Sequence, residues 1–85
     1  EENMENKRLG VIAIVIEDLE QAEQVNALIH EYNDLMVGRM GIPYKERNIS
    51  VISLMVDGTT DRINALTGKL GRIEKVQVKS MLTKV

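Results

Sequence analysis

Two strand-like segments that are apolar on both faces constrain this chain most strongly. Residues 9–16 show no alternation of apolar and polar side chains, and residues 49–56 are interrupted only by two serines. Strands of this composition are typical of a sheet that is covered above and below. The rest of the chain has room for two helices, and two helices with one sheet make only two layers. We therefore predict that the second face of the sheet packs on another copy of the chain.

The segment after the first strand has the pattern of an amphipathic helix. Asp18 stands three residues before Gln21, which is the spacing of a capping box and predicts a helix start at this point. Apolar residues then recur at three- and four-residue spacing until the helix ends near residues 33–34. These residues are Ala22, Val25, Leu28, Ile29 and Tyr32.

The middle of the chain predicts a weak second strand and then a turn. Residues 35–41 are strand-like, but they include Gly38 and Gly41, which lower the stability of a strand. Because Pro43 cannot donate a hydrogen bond to a sheet, residues 42–48 are expected to form the connection to the third strand.

The second half of the chain repeats the order of helix and strand. Thr59 or Thr60 is expected to cap a second helix, while Gly68 and Gly71 mark its loosening and its end. Residues 76–83 alternate apolar with polar side chains, as expected for an edge strand. The apolar stripe of the second helix consists of Ile63, Leu66 and Leu70.

The resulting order, βαββαβ, predicts an α+β protein with a ferredoxin-like fold. Right-handed crossovers place the first and third strands at the centre of a four-stranded antiparallel sheet, with both helices on one face. The two strands that this topology places centrally are the two that are apolar on both faces. We predict one domain over residues 8–85, preceded by residues 1–7 as a disordered N-terminal segment or a cloning remnant.

The central strands also predict which side chains lie on each face. The bulkier set is expected to face the helices: Ile12, Ile14, Ile16, Ile52, Leu54 and Val56. The flatter set is expected to form an oligomer interface: Val11, Ala13, Val15, Val51, Ser53 and Met55. Two alternatives remain, namely a monomer with an exposed patch and a partner of different sequence. Self-association is favoured because closed homo-oligomers predominate and large bare apolar patches are uncommon on monomers.

Composition narrows the classes of function. The 85 residues carry 13 acidic and 11 basic side chains, so the net charge of -2 gives no field that attracts nucleic acid or an anionic membrane. The absence of Cys excludes disulfides and thiolate metal sites, and the single His30 cannot form a metal site alone. The longest apolar run is about half of the ~20 residues that span a bilayer. No secretory signal pattern precedes it, so we expect a cytoplasmic protein.

Two groups of residues are candidates for a functional site. Arg39 lies between Gly38 and Gly41, where the missing side chains let a ligand approach, so these three residues are the candidate binding site for an anionic ligand at a subunit edge. The alternative is a solvated charge that protects an edge strand from aggregation. Glu17 and Asp18 are adjacent carboxylates, but Asp18 is expected to cap the helix, and no catalytic residue, metal or cofactor is assigned.

Four segments resemble a known bacterial family. They are residues 39–44, residues 48–52, residues 63–73 with Leu-Thr-Gly-Lys-Leu-Gly, and residues 76–79. Together they are similar to the family of iron-only hydrogenase system regulators, whose members are similar to ACT domains and to the ligand-binding domain of the nickel-responsive repressor. The resemblance implies a ferredoxin-like fold, assembly into dimers or tetramers through sheet faces and edges, and a regulatory role near hydrogenase maturation.

Some properties of these relatives are not expected in this chain. About eight polar residues precede the first strand, so we expect no DNA-reading segment and no direct nucleic-acid binding. The histidines and the cysteine of the nickel site have no counterparts here. Our leading hypothesis is a non-enzymatic, oligomeric, ACT-like regulatory module that senses a small effector at a subunit interface. The alternative is a ligand-free interaction or scaffold subunit with a protein partner.

Overall fold

Four antiparallel strands form one sheet, and two helices cover one of its faces. The computed structural model describes residues 6–83. The elements are β1 (Lys7–Ile16), α1 (Ala22–Glu31), β2 (Met36–Tyr44), β3 (Ile49–Thr59), α2 (Thr60–Gly71) and β4 (Val76–Leu82). Single 3-10 turns precede α1, precede β2 and join β2 to β3. Residues 1–5 of the proposed N-terminal segment lie outside the described residues, and Lys7 already belongs to β1.

The strand order β2-β3-β1-β4 confirms the predicted topology. β1 and β3 are the central strands and pair over their whole length, with Ile12 opposite Leu54 and Ala13 opposite Ser53. β4 pairs with the other side of β1, where Val78 lies opposite Ile14. The doubly apolar segments therefore occupy the two positions where neighbouring strands cover both edges.

The hydrophobic core lies between the sheet and the two helices. The six side chains predicted to face the helices are all buried, which confirms that prediction: Ile12, Ile14, Ile16, Ile52, Leu54 and Val56. The helices contribute a second buried set, which consists of Val25, Ile29, Ile63, Leu66 and Leu70. Burying one such side chain contributes about 1.5–3 kcal/mol, so this layer is the main source of the fold's stability.

α2 begins at a capped residue, as predicted, whereas α1 begins after Gln21 without a side-chain cap, so the predicted capping box does not form and Asp18 caps the preceding 3-10 turn instead. The Asp18 carboxylate accepts a hydrogen bond of 3.0 Å from the backbone N–H of Glu20, and a 3-10 turn precedes the regular part of α1. The Thr59 hydroxyl oxygen accepts one of 3.2 Å from the backbone N–H of Arg62. Capping of this kind is typically worth about 1 kcal/mol.

The prediction for β2 was wrong at its end. The strand continues through Pro43, which lies opposite Ser50, to Tyr44, and only one 3-10 turn and Asn48 connect it to β3. Asn48 has a φ of 55°, the left-handed conformation that Asn tolerates better than most residues. Pro43 fits because β2 is an edge strand, where a missing N–H need not break the ladder. β3 is also longer than predicted and ends at Thr59.

Candidate functional site

The sheet face opposite the helices, called the outer face below, carries most of the exposed large apolar side chains. Along β1 and β3 its residues alternate with the buried ones, and on β2 and β4 the pairing register assigns all of them but Val37. Val37 is unpaired, and it lines a groove together with outer-face residues such as Val11 and Met55. Val37 and Met40 are each 65% exposed and Met81 is 58% exposed. The nine large side chains are Leu9, Val11, Val37, Met40, Ile42, Tyr44, Val51, Met55 and Met81. Leu19, the tenth exposed large apolar residue described, lies outside this face in the turn before α1.

The six residues predicted as an oligomer interface all lie on the outer face. Val11, Ala13, Val51, Ser53 and Met55 are exposed, and Val15 is half-buried. The structure thus places them together without assigning them a partner, and their role as an interface stays a prediction.

The edge strands extend this face beyond the residues predicted from sequence. Ile42 and Tyr44 of β2 were missed because residues 42–48 were expected to be a turn, and Val37 and Met40 were missed because only the two central strands were assigned faces. On β4, Met81 lies opposite Val11. If the predicted strand had been continued through Ile42 and paired with Val51, the larger surface would have been predicted.

A β-bulge in β2 shapes one end of the outer face. Met36 lies opposite Val56 and Gly38 opposite Met55, which leaves Val37 as the extra residue. A shallow groove of about 250 Å³, lined almost only by apolar atoms, lies beside this bulge. It is lined by Leu9, Gly10, Val11, Val37, Met55, Val56 and Thr83. A Cβ at Gly38 would lie 3.1 Å from Met55 Cε, so glycine leaves this methionine room to pack against the bulge.

Polar groups lie mainly at the margin of the outer face. Lys79 is exposed on β4 opposite Ala13, and Asp57 is exposed near the end of β3 opposite Leu9. At the opposite end, Gln77 lies on β4 opposite Val15, and its side-chain amide donates a 2.7 Å hydrogen bond to the Glu17 carboxylate. An apolar centre with a polar rim is the usual organisation of a protein interface.

The candidate ligand residues do not form one site. Arg39 lies opposite Leu54, on the helix side of β2, and its Nη2 donates a 2.8 Å hydrogen bond to Asn26 Oδ1 on α1. Gly41 lies on the same side, but Gly38 belongs to the outer face. The structure therefore separates Arg39 from the apolar surface and places it beside the middle of α1.

The carboxylates after β1 have structural partners. Asp18 caps the turn that leads into α1, and Glu17 accepts the bond from Gln77. Within residues 6–83 no group of three or more His, Cys, Asp or Glu side chains is arranged to hold a metal ion, and His30 is exposed on α1. The arrangement supports a capping role for Asp18 rather than acid–base chemistry.

A polar cluster that was not predicted from the sequence joins the two helices, on the side of the sheet away from the outer face. The buried Tyr32 ring lies 5.3 Å from Arg62 Cζ and 5.0 Å from Lys69 Nζ. Arg62 forms a two-nitrogen ion pair with Asp34, and Lys69 Nζ lies 3.3 Å from a Glu31 carboxylate oxygen. The hydrogen bonds from Arg62 lower the pKa of Asp34, while bonding to Tyr32 and then to Glu31 raises the pKa of Lys69.

The fold and its surfaces define an ACT-like ferredoxin-fold domain. The chain is 25% identical to the ACT domain of GTP pyrophosphokinase from Chlorobium tepidum, with a TM-score of 0.71 over 89% of this chain and 88% of that one. A dimeric ferredoxin-like protein from an uncultured marine organism shares only the fold, at 5% identity and a TM-score of 0.53 over 91% and 92%. Within residues 6–83, no helix is long and apolar enough to cross a membrane.

Comparison of sequences identifies the family of this chain more specifically than its fold does. Residues 8–80 match the TM1266-like family, whose description assigns it a regulatory role in the iron-only hydrogenase system, and the chain belongs to this family. It is 42% identical to the uncharacterized protein TM1266 from Thermotoga maritima, with a TM-score of 0.86 over 89% of this chain and 96% of that one. No curated protein matches the sequence. The resemblance inferred from the four segments is confirmed.

Proposed function

We propose that this chain is a non-enzymatic regulatory module of the iron-only hydrogenase system. In this account it acts in the cytoplasm, assembles with copies of itself and senses a small effector at a subunit interface. The observation that carries the proposal is the concentration of nine exposed large apolar side chains on one sheet face, in a family described as regulatory. A domain of this size gains stability when such a surface is buried.

The effector class follows from Arg39. Its side chain lies at the β2 edge of the sheet and outside the outer face, so the effector site in this proposal is an edge contact between subunits, distinct from the outer-face contact that holds them together. The bond to Asn26 uses one of the five N–H donors of a guanidinium group. The fork of donors suits carboxylates and phosphates, so a small anion is the expected effector. Gly41 leaves the same side of β2 open to it, whereas Gly38 contributes to the outer face instead.

The non-enzymatic part of the proposal rests on the engaged carboxylates. Asp18 and Glu17, the adjacent acidic pair at the end of β1, are held by a helix cap and by Gln77. In this proposal both carboxylates position the chain rather than act on a substrate.

One observation favours the alternative of a ligand-free scaffold subunit. The groove on the outer face is lined almost entirely by apolar atoms, which suits a side chain of a partner better than a charged metabolite. In that case the outer face would serve assembly alone.

Native mass spectrometry of gently purified protein from a natural source tests the proposal. The expected spectrum shows a defined oligomer with a reproducible extra mass. The Arg39→Ala variant should lose this mass, while Arg47→Ala, in the turn between β2 and β3, should keep it. An oligomer without extra mass would favour the scaffold, and a monomer would contradict both accounts.

A further inference from the structure

Three exposed methionines lie together on the outer face. Met40 of β2, Met55 of β3 and Met81 of β4 are 65%, 53% and 58% exposed. We propose that these three thioethers form a redox-sensitive modification site, at which a peroxide adds one oxygen atom to each sulfur and thereby weakens self-association. The effect on association rests on the self-assembly proposed above, whereas the modification itself does not.

The pairing register places the three methionines near one another. Met55 and Met81 both lie opposite Val11, one on each side of β1. Met40 lies opposite Ser53, two residues from Met55 along β3, so Met40 and Met55 are diagonal neighbours on one face. Long side chains can touch across such a diagonal, which spans about 7–8 Å. Oxidation would therefore change one continuous part of the outer face.

Exposure distinguishes these methionines from Met36, the fourth methionine in residues 6–83. Met36 is half-buried and packs against the hydrophobic core. A peroxide must reach the sulfur to react with it, so we expect the three methionines of the outer face to react first. The chain has no cysteine, whose thiolate would otherwise compete for the same oxidant.

The reaction is the transfer of an oxygen atom from hydrogen peroxide. A sulfur lone pair attacks one peroxide oxygen, the O–O bond breaks as the S–O bond forms, and the other oxygen leaves as water after a proton shift. The sulfur loses two electrons and the peroxide gains them. The product, methionine sulfoxide, is polar where the thioether was apolar, and methionine sulfoxide reductases convert it back.

A sulfoxide on the outer face opposes the burial of this face by another copy. Most large side chains around it are apolar, and the groove beside Met55 is lined almost only by apolar atoms, so a buried S=O group would find few hydrogen-bond donors. A buried polar group without a partner costs enough to weaken association at least about tenfold. Because an oligomer covers its own sulfurs, peroxide is expected to act on the dissociated subunit and to prevent its reassociation.

The test compares the wild type with a variant that keeps the apolar surface but lacks the reactive sulfurs. Met40→Leu, Met55→Leu and Met81→Leu are combined in one full-length chain, because Leu and Met exchange with little loss of packing. Met36→Leu is the matched control, since it keeps the other three methionines. Each protein is treated with hydrogen peroxide in dilute solution. Peptide mass mapping locates the oxidised residues, and sedimentation velocity measures association before and after treatment.

We expect peroxide to oxidise Met40, Met55 and Met81 faster than Met36 and to weaken the association of the wild type and of Met36→Leu at least about tenfold. The combined Leu variant should keep its association. Methionine sulfoxide reductases with dithiothreitol should restore the wild type. Recovery uses the wild-type chain alone, so it decides the question even if the combined variant folds poorly.

Two results would overturn the proposal while leaving self-assembly intact. One is an oxidised wild type that associates as before, and the other is an equal loss of association in the combined Leu variant. Faster oxidation of Met36 than of the other three would overturn the modification site itself. A wild type that is monomeric before treatment would overturn self-assembly and, with it, the effect of oxidation on association.

Discussion

Ala13 and Ser53 lie opposite each other in the two central strands, and both are exposed on the sheet face away from the helices. Their immediate neighbours along the strands, Ile12 and Leu54, are fully buried beneath the helices. The same two strands thus build a hydrophobic core on one side and an uncovered apolar surface on the other. This relationship connects the sequence pattern with the proposed assembly.

A charge on the outer face should disrupt assembly. Met55→Lys is expected to weaken self-association at least about 100-fold, equivalent to ~3 kcal/mol, because the interface would bury an unpaired ammonium group. Sedimentation velocity over a concentration series measures the change. Leu19→Lys, which adds the same charge outside the face, should leave the association unchanged. Equal behaviour of the two variants would exclude the outer face as the interface.

Truncation of the core should lower the stability of the domain itself. Leu54 is fully buried, so Leu54→Ala should reduce the free energy of unfolding by about 2–5 kcal/mol through lost burial and a residual cavity. Urea denaturation provides the measurement. The same truncation at exposed Leu19 should change the free energy of unfolding by no more than about 0.5 kcal/mol. A small effect at Leu54 would show that the core differs from the one described.

Loss of the Thr59 cap should weaken α2. Thr59→Ala removes the hydroxyl that accepts from the Arg62 N–H, and is expected to cost about 1 kcal/mol in the free energy of unfolding. Thr59→Ser, which keeps the hydroxyl, is the matched control and should restore most of that stability. Identical denaturation curves for the two variants would mean that the cap contributes nothing.

The ion pair between Asp34 and Arg62 should make stability depend on pH. Because Arg62 lowers the pKa of Asp34 in the folded protein, its contribution is present above the carboxyl's unfolded pKa and is lost as pH falls through the lower folded pKa. Wild type should therefore be slightly more stable than Asp34→Asn at neutral pH, and the difference should vanish in acid. Thermal melts between neutral pH and strongly acidic buffer measure it.

Glu74→Gln is the control for this experiment, since Glu74 is an exposed carboxylate in the turn before β4. A difference for Asp34→Asn that grows as the pH falls would contradict the assigned direction.

Arg39 should affect ligand binding without affecting assembly. Its side chain lies on the helix side of β2, opposite to the outer face, so Arg39→Ala should leave the subunit count unchanged while abolishing retention of an anionic effector. Ligand mass and oligomer mass in one native spectrum separate the two effects. Loss of the oligomer in Arg39→Ala would show that the edge, and not only the face, holds the subunits together.

The central strands could be predicted from sequence because β1 and β3 are continuous apolar segments whose topology and composition agree. The end of β2 could not, since Pro43 is typical of a turn and the bulge at Val37 shifts the side-chain alternation. Arg39 and Asn26 are 13 residues apart in sequence, and the hydrogen bond between them depends on how β2 packs beside α1. The Tyr32 contacts likewise depend on packing between the two helices, which sequence periodicity does not describe.

The mass of the wild-type chain in solution tests the central claim most directly. Sedimentation equilibrium at micromolar concentration should give a defined multiple of the 9.6 kDa subunit, because the outer face is covered by another copy. A single species of 9.6 kDa across the concentration range would contradict the account, since the apolar outer face would then be a stable feature of a monomer.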